Sequence, residues 1–151
     1  MTTGWGTDLR EAPGAAWRLA RDTAAGRGPA AVKDIPQDAR PGVLVMLGAQ
    51  ARSFSRQAAL QGVTFSPGPR DWAEIRCREV RELCAAALSG ETVRVPDKLC
   101  CACTGKALAR MAAALADAMA AAGIRRRDIP RVLDWQASQA RHPRLPATNE
   151  P

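Results

Sequence analysis

One alanine-rich segment, residues 104–122, constrains the fold of this chain more than any other part of the sequence. Its larger apolar side chains recur at spacings of three and four, which is the period of one face of an α-helix. Alanine has the best intrinsic helix propensity, and Gly123 follows the segment as a typical C-terminal signal. The segment therefore predicts a long helix whose apolar face is formed by Leu108, Met111, Ala112, Leu115, Ala118 and Met119.

The composition of the chain extends this prediction to the whole fold. The 151 residues are 46% hydrophobic and 25% charged, as in a globular protein, but only 4% are aromatic and much of the apolar fraction is alanine. Because β-branched and aromatic residues are scarce, strands are disfavoured and helices can approach one another closely. We predict an all-α protein, a compact bundle of four or five helices that forms one domain.

Proline and glycine residues divide the chain into segments. We predict a flexible N-terminal arm over residues 1–13, a single helical domain over 14–140 and a disordered, Pro-rich tail over 141–151. Inside the domain, three prolines indicate a loop over residues 29–42, and Asp71 is suited to be the N-cap of the clearest amphipathic helix. The predicted helices besides 104–122 are 14–25, 41–61, 72–89 and a short last helix that Asp128 can cap.

The five cysteines all fall within 27 residues of the sequence, and they predict a thiol-based site. Zinc takes four ligands, and a Cys-x-x-Cys pair at a helix start can supply two of them. Cys77 and Cys84 cannot both bind the same ion from one helix, because seven residues rise about 10.5 Å whereas two zinc-bound sulfurs lie about 4 Å apart. We therefore predict a zinc site of Cys84, Cys100 and Cys103. The fourth ligand would be Cys101, His142 or water.

Two other interpretations of the cysteines stay open. Free cysteine is among the most buried residue types, so Cys77 and Cys84 can be small core residues. A helix start can also lower the pKa of a thiol, which would make the segment from Cys100 to Cys103 a redox or nucleophilic site.

Arginine dominates the charge of the chain. Arginines make up 19 of the 22 basic residues, and the formal net charge is +7. Such a charge favours anionic partners, although it can also reflect a bias in coding composition. The stretch from Leu115 to Gln136 resembles a helix-turn-helix arrangement with a basic turn, or else an ordinary helical hairpin with a basic corner. We predict a nucleic-acid contact through Arg125, Arg126, Arg127 and Arg131.

Common catalytic motifs do not match the sequence. The phosphate-loop pattern fails because Cys100 and Ala107 stand where it needs a glycine and a serine or threonine. HExxH, GxSxG and EF-hand patterns are lacking as well. No stretch has the composition of a membrane span or a secretion signal, so we expect a cytoplasmic protein without a membrane partner.

These observations lead to three hypotheses about function. The first is a non-enzymatic, nucleic-acid-binding helical module with a small zinc site. The second is a helical protein–protein adaptor or regulator, acting as a homo-oligomer through an alanine-rich face, without metal or nucleic acid. The third is a thiol-dependent enzyme.

Overall fold

The structure is a computed structural model that describes residues 4–60, 62, 69–91 and 93–141. Within these ranges the chain forms α-helices and short 3₁₀ turns and no β-strand, which confirms the all-α prediction. Residues 1–3 of the predicted arm and 142–151 of the predicted tail lie outside the described residues. The helices are α1 (Gly4–Ala24), α2 (Gly28–Val32), α3 (Arg40–Leu60), α4 (Arg78–Ser89), α5 (Cys101–Ala121) and α6 (Ile129–Arg141).

The core is built around α5, which packs most extensively against α3. The apolar face predicted for residues 104–122 is buried along its whole length, since its six members are at most 1% exposed. From α3, Val43, Leu44 and Leu47 reach the same core and are fully buried. The hydrophobic periodicity of residues 104–122 therefore correctly predicted both the helix and the face that packs into the core.

A glycine allows α3 and α4 to approach each other closely. A Cβ atom built on Gly48 would lie 3.2 Å from the carbonyl carbon and 3.3 Å from the Cα of Ala87, and nearer still to its Cβ. These distances are tighter than ordinary van der Waals contact, so the hydrogen of Gly48 is part of the interface. The predicted small-residue packing is thus realised where α3 and α4 meet.

The first helix is longer than the sequence indicated. It begins at Gly4 and continues through Pro13, whereas the sequence predicted a flexible arm over 1–13 and a helix over 14–25. Proline inside a helix removes one backbone hydrogen bond, but the helix persists because Ala12 and Ala16 are buried against the core on either side of it. The loop predicted over residues 29–42 also contains a short helix, α2, in which Pro29 occupies the first turn, where proline is favoured.

The predicted helix 72–89 is correct only in its second part. Helix α4 begins at Arg78, after a 3₁₀ turn and an extended segment in which Trp72 and Ile75 are buried. Both residues are buried at the spacing of an α-helix although neither lies in one. The spacing therefore predicted too early a start for this helix. Cys77, not Asp71, is the N-cap of α4. Glu74, which lies before the start of α4, pairs with Arg110 of α5.

Helices α5 and α6 form a corner at which the chain changes direction by 119°. Gly123 adopts φ 99° directly after α5, a left-handed conformation that a glycine accepts without strain. Helix α6 then packs mainly against α1, through Ile129, Leu133 and Ala137. In the described ranges, no single helix is both long and apolar enough to span a membrane.

Candidate functional site

The basic corner is the group of Arg125, Arg126, Arg127 and Arg131, and it extends from the turn between α5 and α6 into the first turn of α6. Residues 126–128 form a 3₁₀ turn, and α6 begins only at Ile129, so Pro130 falls in its first turn. The helix thus starts after the run of three arginines, which are all exposed on the turn itself. The structure brings the four predicted arginines to one end of the bundle.

Two aspartates partly neutralise this corner. Arg125 Nε donates to the carboxylate of Asp128 at 2.8 Å, and Arg131 Nη2 donates to the same carboxylate at 3.3 Å. Arg126 pairs with Asp117 of α5. Four arginines against two aspartates leave a surplus of two positive charges. Asp128, predicted as a helix cap, directly precedes α6 and also holds two arginines.

Arg127 differs from the other three arginines. It is exposed, and it has no hydrogen-bond or ion-pair partner among the described residues. Exposed ion pairs such as those of its neighbours are worth only about 0–1 kcal/mol each. An anion can therefore contact Arg127 directly and recruit Arg125, Arg126 and Arg131 at small cost.

The cysteine cluster lies where the sequence placed it, at the start of α5. Cys100 is the N-cap residue and is exposed, and its carbonyl accepts hydrogen bonds from the backbone N–H of Thr104 at 2.9 Å and from Oγ1 of Thr104 at 2.7 Å. The backbone N–H of Cys103 lowers the pKa of the Cys100 thiol, assisted by the Cys103 thiol, the backbone N–H of Ala102 and the charge of Lys106. This arrangement favours a thiolate at Cys100.

An arginine, Arg40, reaches the cluster from α3. Arg40 Nη1 donates to Sγ of Cys101 at 3.5 Å. Its Nε and Nη2 donate to the carbonyls of Ile35, at 3.1 Å, and Val32, at 3.4 Å. Arg40 therefore connects the end of α2 and the segment after it to the start of α5. It also places a positive charge beside the thiols, and the sequence alone did not predict this charge.

The structure does not assemble the zinc site predicted from Cys84, Cys100 and Cys103. Among the described residues, no three Cys, His, Asp or Glu side chains lie close enough together to hold a metal ion. The physical reason is that Cys84 is fully buried on the core side of α4, whereas Cys100 is exposed at the end of α5. Burial raises the pKa of the Cys84 thiol to about 12, as expected for a core residue. His142, considered as a fourth ligand, lies outside the described residues.

The thiols should therefore differ strongly in reactivity. We expect N-ethylmaleimide to modify Cys100 first in the native protein at pH 7.5 and Cys84 last. A thiol with a pKa of about 12 has about a thousandfold less thiolate than one at the ordinary value of 9.0, and burial slows it further. Peptide mass spectrometry after timed quenching measures the order. Cys100→Ser should remove the fast phase, and equal rates at Cys84 and Cys100 would contradict the assignment.

A cavity of about 450 Å³, which we call the four-helix cavity, opens between α1, α3, α5 and α6. Its apolar wall consists mainly of Trp17, Phe54, Leu115, Met119 and Trp135. Trp135 is 63% exposed, a large exposed fraction for an apolar side chain. The cavity could not be predicted from the sequence, because its wall combines residues from four helices.

Comparison of the chain with protein-family models, with curated proteins and with solved structures gave no match.

Proposed function

We propose that this protein is a non-enzymatic helical module that binds nucleic acid through its basic corner. The observation that carries the proposal is the geometry of the turn. Two helices related by 119° and joined by a short, glycine-containing turn have the layout of a helix-turn-helix unit, in which angles of about 90–120° are usual. Here the turn and the first turn of α6 present four exposed arginines.

The contact is expected to be with phosphates rather than with base edges. Three of the four arginines are on the turn itself, before α6 begins, and arginine is a residue type that fixes a protein on the nucleic-acid backbone. Farther along α6, Asp134 is occupied by an ion pair with Arg21 at 3.1 Å. A backbone contact of this kind depends strongly on salt and only weakly on sequence.

Binding of a labelled 20-base-pair DNA duplex, followed by fluorescence anisotropy between 50 and 300 mM salt, tests the proposal. We expect the double variant Arg126→Ala/Arg127→Ala to weaken binding and to reduce the slope of log K against log salt by about 1.8, since each lost phosphate contact contributes about 0.9. The control is Arg76→Ala/Arg94→Ala, which removes the same charge from two exposed arginines elsewhere in the chain.

Two outcomes would contradict the proposal. If both double variants weaken binding equally, net charge rather than the corner accounts for the affinity. If the duplex does not bind at 50 mM salt, the corner has another role. Asp117→Asn provides a further test. This variant removes the carboxylate paired with Arg126, so it should bind the duplex more tightly than the native protein.

A further inference from the structure

Two glutamine side chains at the four-helix cavity lack the hydrogen bonds that buried polar groups normally form. The Oε1 atoms of Gln50 and Gln136 are both inaccessible to solvent and have no hydrogen-bond partner. Both residues line the cavity, Gln50 from α3 and Gln136 from α6. An unpaired buried acceptor destabilises the fold, so each such atom calls for an explanation. A rotation of either amide group would turn its oxygen toward the cavity, where a bound molecule with a hydrogen-bond donor would satisfy it.

The remaining properties of the cavity define the chemistry of that molecule. None of the described residues that line it carries a charge, so an ionised group would be buried there without a counter-ion. Two indole rings, Trp17 and Trp135, and the ring of Phe54 offer faces for an aromatic group. A volume of about 450 Å³ lies in the range of sites for small molecules, typically about 300–1,000 Å³.

We propose that the four-helix cavity binds a neutral aromatic small molecule that carries an N–H or O–H donor. The aromatic part packs on Trp17 and Trp135, and the donor bonds to the amide oxygen of Gln50 or Gln136. This site is separate from the basic corner, and it needs neither nucleic acid nor the cysteines.

A fluorescent probe with these properties tests the proposal directly. N-phenyl-1-naphthylamine is neutral, has two aromatic groups and one N–H, and becomes brighter in apolar surroundings. Titration with the full-length protein should show saturable binding to one site, with a dissociation constant of about 10–200 µM. The sulfonated analogue 8-anilinonaphthalene-1-sulfonate has the same frame with a negative charge. It should displace the neutral probe at least about tenfold less effectively, because the cavity has no cation to pair with it.

Variants at the cavity show where the probe binds. Ser53 is an exposed residue at the cavity, so Ser53→Trp should fill the opening and abolish binding without disturbing the core. Ala59→Trp, on an exposed position of α3 that does not line the cavity, is the matched control and should bind normally. Circular dichroism checks that both variants are folded.

The hydrogen bond is tested separately. The double variant Gln50→Leu/Gln136→Leu should bind N-phenyl-1-naphthylamine about 3–10-fold more weakly, the effect of one lost hydrogen bond. Displacement by 1-phenoxynaphthalene, which has an ether oxygen in place of the N–H, should not become weaker in this variant. Removing two unpaired oxygens should also leave the fold intact, so this variant remains informative if Ser53→Trp fails to fold.

Three results would overturn the proposal. The first is the absence of saturable binding by the folded native protein. The second is binding that survives both Ser53→Trp and the double glutamine variant, because the probe would then sit elsewhere. The third is sedimentation as a dimer that excludes the probe and dissociates in Trp135→Ala, because the cavity would then be an interface between two copies of the chain.

Discussion

Leu47→Ala is expected to lower the free energy of unfolding by about 2–5 kcal/mol. Leu47 is fully buried at the contact of α3 with α5, and alanine would leave a cavity among side chains that can collapse only partly. Urea denaturation followed by circular dichroism measures the change, which should appear in the midpoint with an unchanged m-value.

The same helix provides a matched control for this substitution. Leu60 is 89% exposed, so Leu60→Ala makes the same chemical change where no packing is lost. We expect its effect to stay within about 0.5 kcal/mol. Equal destabilisation by the two variants would show that Leu47 is not packed in the core as described.

Gly48→Ala is expected to destabilise the protein, although alanine is the better helix former. The added methyl group would collide with Ala87 of α4, and overpacking of this kind costs about 1–3 kcal/mol. Gly105, in α5, is the matched control because its Cβ would meet only Val32 at 3.7 Å and Arg40 at 3.9 Å. Gly105→Ala should therefore stabilise the fold by up to about 1 kcal/mol, the difference in helix propensity.

Thermal or urea denaturation of both glycine variants gives the comparison. The sign of the effect should differ between them, which separates local packing from intrinsic propensity. If Gly48→Ala were as stable as Gly105→Ala, α3 and α4 would not be in close contact at this position.

The fold class could be predicted because local sequence patterns indicate where helices form. Helix α5 follows directly from apolar spacing and from Gly123, since a long helix with one buried face has a periodic sequence. The start of α4 could not be predicted this way. Trp72 and Ile75 are buried by contacts made outside a helix, and their spacing does not distinguish the two cases.

Only those parts of the candidate sites whose residues are neighbours in the sequence could be predicted. The run of three arginines and the cysteines at the start of α5 were found because each group is contiguous. The pairing of Arg126 with Asp117 and the approach of Arg40 to Cys101 depend on tertiary structure. The four-helix cavity and the unpaired oxygens of Gln50 and Gln136 also arise only from tertiary structure.

Tertiary structure also decides why Cys84 does not come together with Cys100 and Cys103 among the described residues. Spacing along the chain could exclude Cys77 and Cys84 as joint ligands, but it could not show which way Cys84 faces. The structure turns Cys84 into the core, where a thiol behaves as a small apolar group.

The packing of α6 against α1 has a consequence for the order in which the protein can fold. This contact joins segments separated by more than a hundred residues, as the ion pair between Arg21 and Asp134 illustrates with its separation of 113. Contacts of such high sequence separation are slow to form, since the loss of chain entropy precedes any gain from packing. On the ribosome, α1 is synthesised early but obtains this partner only after α6 has emerged. Docking of α6 is therefore expected to be a late step, and folding should be slower than in helical bundles whose neighbouring helices are consecutive.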